Sequence, residues 1–404
     1  MKLSEELQWR GFVNQTTYDD LSVLDGAPIS FYWGVDPSAD SMQIGNLAAA
    51  MMVRRFIDHG HKAYLLVGGA TGMIGDPDGK KDERNLKTLE DIDRNKNAIV
   101  EQYKTVFADK DFTIVDNYDW FKDMNYIDFL RKIGKHVPLS QMLGRDFVQA
   151  RLGEGGSGIS YAEFSYSLIQ GYDFLHLFKE HGVTLQVCGA DQWGNSIAGV
   201  DLIRRSEAAE AHVYSTPLVI NKTTGVKFGK TEGGAIWLDP AKTSVYKFYQ
   251  FWLNVDDAGV IDYIKIYTLL SKEEIDAVAE NHQANPGARS AQRLLAQEVT
   301  TLVHGKERCD SVMRVTDVLF GGAEFASLSD GDLEALAQEI PTSTIGKTAV
   351  EVLVEAQLAS SNGDARRLIE GGAVTLGNEK ISSDQTMDTA SLLKKGKNSF
   401  VLIR

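Results

Sequence analysis

Three stretches carry side chains whose types and spacing could act on a phosphorylated substrate. Residues 227–234 read KFGKTEGG, with Lys227 and Lys230 three positions apart on a glycine-containing segment. A mobile loop of this kind can bring positive charge over a polyanion and then withdraw it, although an exposed hairpin turn has the same composition. Residues 161–177, YAEFSYSLIQGYDFLHL, have helical spacing, and Tyr166, Gln170 and Asp173 stand at i, i+4 and i+7 on one face. A buried carboxylate costs on the order of several kcal/mol unless it is paired, so this hydroxyl, amide and carboxylate require polar partners. Residues 31–46, FYWGVDPSADSMQIGN, pass from an aromatic run through the turn formers Asp36, Pro37 and Ser38 to Gly45, where the apolar run LAAAMMV opens.

A strand feeding a turn and then a helix start suits phosphates, because free backbone N–H groups and the positive end of the helix dipole converge there. Neither G-x-G-x-x-G nor G-x-x-x-x-G-K-[ST] is present, so an ordinary dinucleotide fold or a P-loop is not supported. The elements around these stretches alternate. Residues 29–33 and 63–67 predict short buried strands with an amphipathic helix over 47–59 between them, a β-α-β unit with a parallel sheet. The second strand runs into Gly68-Gly69-Ala70-Thr71-Gly72 and then Asp76, small residues that let a ligand approach the backbone. Gly79-Lys80-Lys81-Asp82-Glu83-Arg84 follows, a solvated loop by composition, with Lys80 and Arg84 placed to meet a polyanion. Residues 183–187 predict another strand, with Gly189, Asp191 and Gln192 at its mouth, where an Asp commonly accepts from a ribose.

The remaining segments frame this core. Helices are expected over 3–11 and up to 25, over 89–107, and over 119–136, the last with aromatics read as core and subunit-facing surface. A strand is expected at 112–115, a flexible break at 153–158 (GEGGSG), mainly helix from 246 to 320, and a connector at 328–341. From 350 onward a two-helix unit is followed by a turn and strands, with Arg366 and Arg367 on the second helix.

At 404 residues the chain suggests two or three domains. A net charge of −14 argues against a nucleic-acid partner for the body of the chain. Residues 345–404, however, hold eight Lys and Arg against seven Asp and Glu, +1, leaving −15 on the rest. Cys188 and Cys309 make no disulfide framework and no C-x-x-C metal spacing. The N-terminus is not a signal peptide and no run reaches about 18 apolar residues, so a cytoplasmic protein without a membrane segment is expected.

The stretch around Gln43-Ile44-Gly45-Asn46 resembles the first motif of class I aminoacyl-tRNA synthetases, whose centre usually reads His-Ile-Gly-His, and Lys227-Phe228-Gly229-Lys230-Thr231 resembles their second. Together with GGATGMIGDPDGKKDER, YAEFSYSLIQGYDF and CGADQWGN, nearly the whole chain resembles bacterial-type tyrosyl-tRNA synthetases. The resemblance implies an α/β chain: a Rossmann-like catalytic domain at 1–225 with an inserted dimerisation region at about 117–160. It further implies a mobile KFGKT loop and α-helical tRNA-contacting domain at 226–325, a linker at 326–345, and an S4-like RNA-binding domain at 346–404.

It also implies activation of L-tyrosine with ATP and transfer to tRNA(Tyr) by a homodimer. Tyr32 and Asp173 would bond the phenol hydroxyl; Asp76, Tyr166 and Gln170 would hold the ammonium, with Gln192 near the carboxylate. Gly34, Asp36, Ser38, Gly45, Gly189 and Asp191 would line the ATP crevice, with Gln43, Asn46, Lys80, Arg84, Lys227, Lys230 and Thr231 around the phosphates. Arg366 and Arg367 would contact RNA, and Mg²⁺ would arrive with ATP and have no dedicated protein ligands. Alternatives are a tryptophan-specific relative, a catalytically weakened RNA-binding protein on the same scaffold, and a nicotinamide-type dehydrogenase, which lacks its glycine fingerprint.

Overall fold

The structure, a computed structural model, describes residues 1–77, 86–231 and 234–404, without the side chains of Asp146, Phe147, Lys230 and Thr231. The chain divides into two compact units, Met1–Thr243 with Asn254–Leu295, and Ser244–Leu253 with Ala296–Arg404.

The first unit is built on six strands: β1 Gln15–Thr16, β2 Ser30–Val35, β3 Lys62–Val67, β4 Phe112–Asp116, β5 Leu185–Gly189 and β6 His212–Thr216. Their order is β1-β6-β5-β2-β3-β4, parallel throughout except for β1 against β6. β3 reads KAYLLV and is buried from Ala63 onward, as a parallel strand covered on both faces must be. Helix Ile44–Asp58 packs between the sheet and the N-terminal helix Leu3–Arg10, burying Leu47, Met51 and Phe56. Helices Tyr161–His181 and Trp193–Glu207 pack on each other, burying Phe174, Leu177, Leu202 and Ile203 with Tyr64 and Leu66 of β3.

Several boundaries differ from the sequence reading. The segment up to residue 25 is not a second helix: it forms β1 and a 3-10 turn, Leu21–Asp25. The helix expected over 119–136 is broken into Tyr118–Phe121, Tyr126–Lys132 and a 3-10 turn at Gly134–His136. The region at 226–325 is not one body. Helix Val260–Tyr267 belongs to the first unit, where Arg10 donates from Nη1 to the Lys265 carbonyl (2.6 Å) and from Nη2 to that of Leu270 (2.8 Å).

In the second unit a five-stranded sheet runs Glu379–Lys380, Val374–Leu376, Ser391–Lys395, Ser399–Ile403, Thr342–Ser343. Alternation along the strands gives it two apolar faces. Leu393, Val401 and Ile403 face helices Ala349–Glu355 and Asn362–Glu370, while Leu392, Phe400 and Leu402 pack with Val315, Val318, Leu319 and Leu336. The expected linker at 326–345 is therefore structured. It contains helix Asp330–Ala337, capped by Ser329, which buries Leu336, and strand Thr342–Ser343, which pairs with Ser399–Ile403.

Candidate active site

From β2 the sheet grows one way through β3 to β4, and from its neighbour β5 the other way to β6. Open α/β sheets bind ligands outside the strand C-termini at such a reversal. A cavity of about 690 Å³ lies there, lined by residues of the motifs at the ends of β2, β3 and β5.

One end is a chain of hydrogen bonds. Asp173 is 1% exposed. Its carboxylate accepts from Trp120 Nε1 at 2.9 Å and Asn117 Nδ2 at 3.1 Å. Asn117 Nδ2 also donates to Thr71 Oγ1 (2.9 Å), Thr71 donates to Asp36 (2.6 Å), and Tyr166 Oη donates to the other Asp36 oxygen (2.6 Å). The helical stripe thus has the polar partners its burial demands. Burial raises Asp173 well above the ordinary aspartate range; the bonds from Asn117 and Trp120 oppose this, while Asp36 and Asp116 add to it. Burial likewise pushes up the phenols of Tyr32, beside Asp173, and Tyr166, beside Asp36 and Asp76. Gly68 allows the close approach: a Cβ there would stand 2.1 Å from Asp36 Oδ1 and 2.2 Å from Thr71 Oγ1.

Other polar atoms are left open. Tyr32 Oη, Gln170 Oε1 and Gln186 Oε1 are buried and make no hydrogen bond among the described residues. All three residues line the cavity, and Tyr32 and Gln186 are neighbours in register on β2 and β5. Native proteins rarely leave such atoms unsatisfied, and these three are available to polar groups entering the cavity. Gln192 Nε2 donates to Asp76 at 2.6 Å, and Asn195 Nδ2 donates to Gln192 Oε1 at 3.2 Å, which aims both side chains at the cavity. Burial pushes the Cys188 thiol up to about 12, so it is a small apolar wall rather than a nucleophile.

The opposite end is the start of helix Ile44–Asp58. Gln43 is its N-cap, and the Gln43 N–H donates to Asn46 Oδ1 at 3.0 Å. Gln43, Gly45, Asn46, Ser38, Gly34, Gly189, Asp191 and Lys227 line the cavity, with Lys227 Nζ 3.9 Å from the Asp191 carboxylate. The two motif stretches are joined through the backbone. Ile44 N–H donates to the Ile236 carbonyl (3.2 Å), and Ile236 N–H to that of Gly229 (3.1 Å). Gly229 has φ +87°, and a Cβ there would meet Ile44 at 2.5 Å. Lys80 and Arg84 lie outside the described residues; Lys230 and Thr231 form a short strand whose side chains are not described. Arg366 and Arg367 are exposed on helix Asn362–Glu370 of the second unit.

Sequence reasoning missed Asn117, Trp120, Thr71 and Gln186. Trp120, read as core and subunit-facing surface, instead bonds the deepest carboxylate of the cavity, because the helix break at residues 122–125 ends its segment beside Asp173.

A largely parallel sheet whose reversal point carries a helix start, a lysine-bearing segment and a deep carboxylate pocket agrees with the class I aminoacyl-tRNA synthetases, to which the family match assigns this chain. The profile of tRNA synthetases class I (W and Y) matches residues 24–321, and that of the tyrosine–tRNA ligase SYY-like C-terminal domain matches residues 332–404. Tyrosine–tRNA ligase 1 of Enterococcus faecalis is 43% identical over 420 residues, covering 100% of this chain and 99% of that protein. The tyrosine–tRNA ligase of Bacteroides thetaiotaomicron is 42% identical over 429 residues, with coverage of 100% and 99%. Among solved structures, a C-terminally truncated mitochondrial tyrosyl-tRNA synthetase of Aspergillus nidulans superposes with a TM-score of 0.72 at 30% identity, covering 79% of this chain and 94% of that one. The chain belongs to the tyrosine–tRNA ligase family.

Proposed function

We propose that this chain activates L-tyrosine with ATP to tyrosyl-adenylate and then transfers tyrosine to the 3′ end of tRNA(Tyr). The observation that carries the reading is one cavity joining Tyr32 and the bonded Asp173 at its deep end to the Gln43–Asn46 helix start and Lys227 at its mouth. The unpaired Tyr32 hydroxyl and the Asp173 carboxylate take the substrate phenol. Gln170, Tyr166 and Asp76 take the ammonium, and Gln192 stands near the carboxylate. Phenylalanine is rejected because it leaves those buried polar groups without a partner.

Tyrosine's carboxylate is ionised at neutral pH, so its attack on the α-phosphorus requires no general base. Alignment and neutralisation of charge passing onto pyrophosphate are required instead. Gly34, Asp36, Ser38, Gly45, Gly189 and Asp191 hold ATP. The Gln43 and Asn46 amides with the helix N-terminus meet its phosphates, as do Lys227, Lys230, Thr231, Lys80 and Arg84. Mg²⁺ enters on the ATP phosphates and supplies further neutralisation. Among the described residues no group of three or more His, Cys, Asp or Glu could hold a metal ion.

The chain works as a cytoplasmic homodimer. Tyr126, Ile127, Leu139 and Tyr161, each 58–63% exposed, supply the apolar face for the second copy. Among the described residues no helix is long and apolar enough to cross a membrane. Tyrosine-dependent ATP–pyrophosphate exchange, with phenylalanine and tryptophan as controls, tests the reading. Exchange with tyrosine alone supports it; tRNA binding by folded protein without exchange would replace it with an RNA-binding role on the same scaffold.

A further inference from the structure

Ser41 and Gln102 stand outside the lining of the cavity, yet they meet beside the helix start that opens it. Ser41 lies three positions before Ile44 and is 5% exposed. Gln102 is on helix Leu89–Val106, 61 positions further along the chain. The Ser41 hydroxyl donates to the Met42 carbonyl at 2.9 Å and accepts from Gln102 Nε2 at 2.9 Å and from the Asp239 N–H at 3.1 Å. A hydroxyl has one O–H and two lone pairs, so all of its bonding capacity is used. The Gln102 amide is oriented at its other end, where Oε1 accepts from the Met42 N–H at 2.7 Å.

Two elements converge on this hydroxyl. The first is helix Leu89–Val106. Seven positions before Gln102, on the same face, the buried Asn95 donates from Nδ2 to the Pro37 carbonyl at 3.0 Å. The helix therefore holds the turn between the end of β2 and the Gln43 helix start at two points. The second is the segment that follows the lysine-bearing stretch. Leu238 N–H donates to the Met42 carbonyl at 2.9 Å, and Ile44 N–H to that of Ile236 at 3.2 Å, with Gln43 opposite Trp237 between them. This is a short antiparallel ribbon, extended at its end by the Asp239 bond to Ser41. Beyond it Lys242 Nζ meets Asp40 at 2.6 Å and lies 5.4 Å from the Trp237 ring centre. Ile236 also bonds Gly229, which leads back to Lys227.

We propose that Ser41, oriented by Gln102, is a positioning residue for the activation step: its hydroxyl fixes the register between the Gln43–Asn46 helix start and the segment carrying Lys227. These two groups approach the same phosphates from different elements, so their mutual alignment matters most as charge passes onto pyrophosphate. A misplacement on the order of 1 Å between aligned groups can cost on the order of 100-fold in rate. The deep pocket is held by other bonds, those of Asn117 and Trp120 to Asp173, so tyrosine binding stands apart from this junction. The inference rests on the proposed activation of tyrosine with ATP.

The test uses tyrosine-dependent pyrophosphate exchange by the full chain. Ser41→Ala and Gln102→Leu are each made in the wild type and in Lys227→Ala. Ser41→Ala is expected to lower kcat about 10- to 100-fold, with the tyrosine KM within about twofold of wild type. Gln102→Leu should follow it, because the Met42 N–H and the Ser41 hydroxyl lose their common partner. In Lys227→Ala the cation to be aligned is already missing, so either substitution should cost less than about threefold. An equal loss in both backgrounds shows damage unrelated to the alignment and overturns the proposal, as does wild-type kcat in Ser41→Ala. If Ser41→Ala does not fold, Gln102→Leu decides by the same two criteria. Absence of exchange by the wild type would overturn the activation reading and this inference with it, whereas either contrary result in a protein that exchanges overturns this inference alone.

Discussion

Asn117 is the residue whose removal tests the pocket most directly. It is fully buried, and its Nδ2 donates to Asp173 at 3.1 Å and to Thr71 at 2.9 Å, while its Oδ1 accepts from the Ala70 N–H at 2.6 Å. In Asn117→Ala, Asp173 keeps only the Trp120 donor. A hydrogen bond to a charged group is worth about 1.5–3 kcal/mol, so kcat/KM for tyrosine in pyrophosphate exchange should fall roughly 10- to 150-fold. The loss belongs in the tyrosine KM, with the KM for ATP near wild type. A second readout separates positioning from damage. Burial already raises Asp173, and Asn117 is one of the two donors opposing that rise. Without it the carboxyl ionises at higher pH, so the acidic limb of the activity profile moves up and activity recovers as pH rises. Wild-type kcat/KM with an unmoved limb would refute the reasoning. A fall in tyrosine and ATP binding together, with no pH shift, would show Asn117 to be merely structural.

Tyr32→Phe removes a buried hydroxyl that makes no hydrogen bond among the described residues. Thermal unfolding should show stability unchanged or raised by up to about 1 kcal/mol, while discrimination of tyrosine over phenylalanine in exchange drops about 2- to 12-fold. Asp332 would be raised by burial alone, but bonds from Arg314, Ser311 and Ser329 hold it far below the ordinary aspartate range. Its stabilisation is therefore present above the unfolded value near 4 and lost as pH falls toward the folded one. Asp332→Asn should cost roughly 1–3 kcal/mol at pH 7, and denaturant titrations should show the gap to wild type closing below about pH 4. Gln43→His should change the exchange rate by less than about fivefold at pH 7.5, because a helix start disfavours the imidazolium; a larger gain would mean that the histidine proton is needed.

The motif-bearing part of the fold was legible because its signals are local. A buried strand, a small-residue mouth and a helix start recur at the ends of β2, β3 and β5, and a parallel sheet forces those mouths onto one edge. The stripe Tyr166, Gln170, Asp173 was readable from spacing alone, and so was its need for partners. Which partners was not readable, since Asn117 stands 56 positions from Asp173 and meets it only when β4 docks beside β3. One signal was available: Asp116-Asn117 follow a predicted parallel strand, the same position as Asp36 and Asp191. The connector failed for a different reason. Its acidic residues suggest solvent, but Ser329 and Asp332 cap each other's backbone, and Leu336 needs only one apolar contact face to fix the helix.

The departure at Gln43 and Asn46 is best understood from what the backbone already supplies. Asn46 spends its carbonyl oxygen on the Gln43 N–H, so its role at the helix start is partly structural, and its amide hydrogens remain for the cavity. Gln43 is pinned by its own bridge to Trp237, and Ile44 by its bond to Ile236, so the stretch is fixed by the same segment that follows the lysine loop. On the proposed reading, charge developing on pyrophosphate meets donors that are already oriented: the positive end of the helix, two neutral amides, and the lysines. A neutral imidazole at position 43 would add one more neutral donor, which is what the glutamine amide provides. On the proposed reading, activation on this scaffold relies on aligned donors at the helix start and cations on the loop rather than on a titrating group between them, which is what the Gln43→His comparison tests.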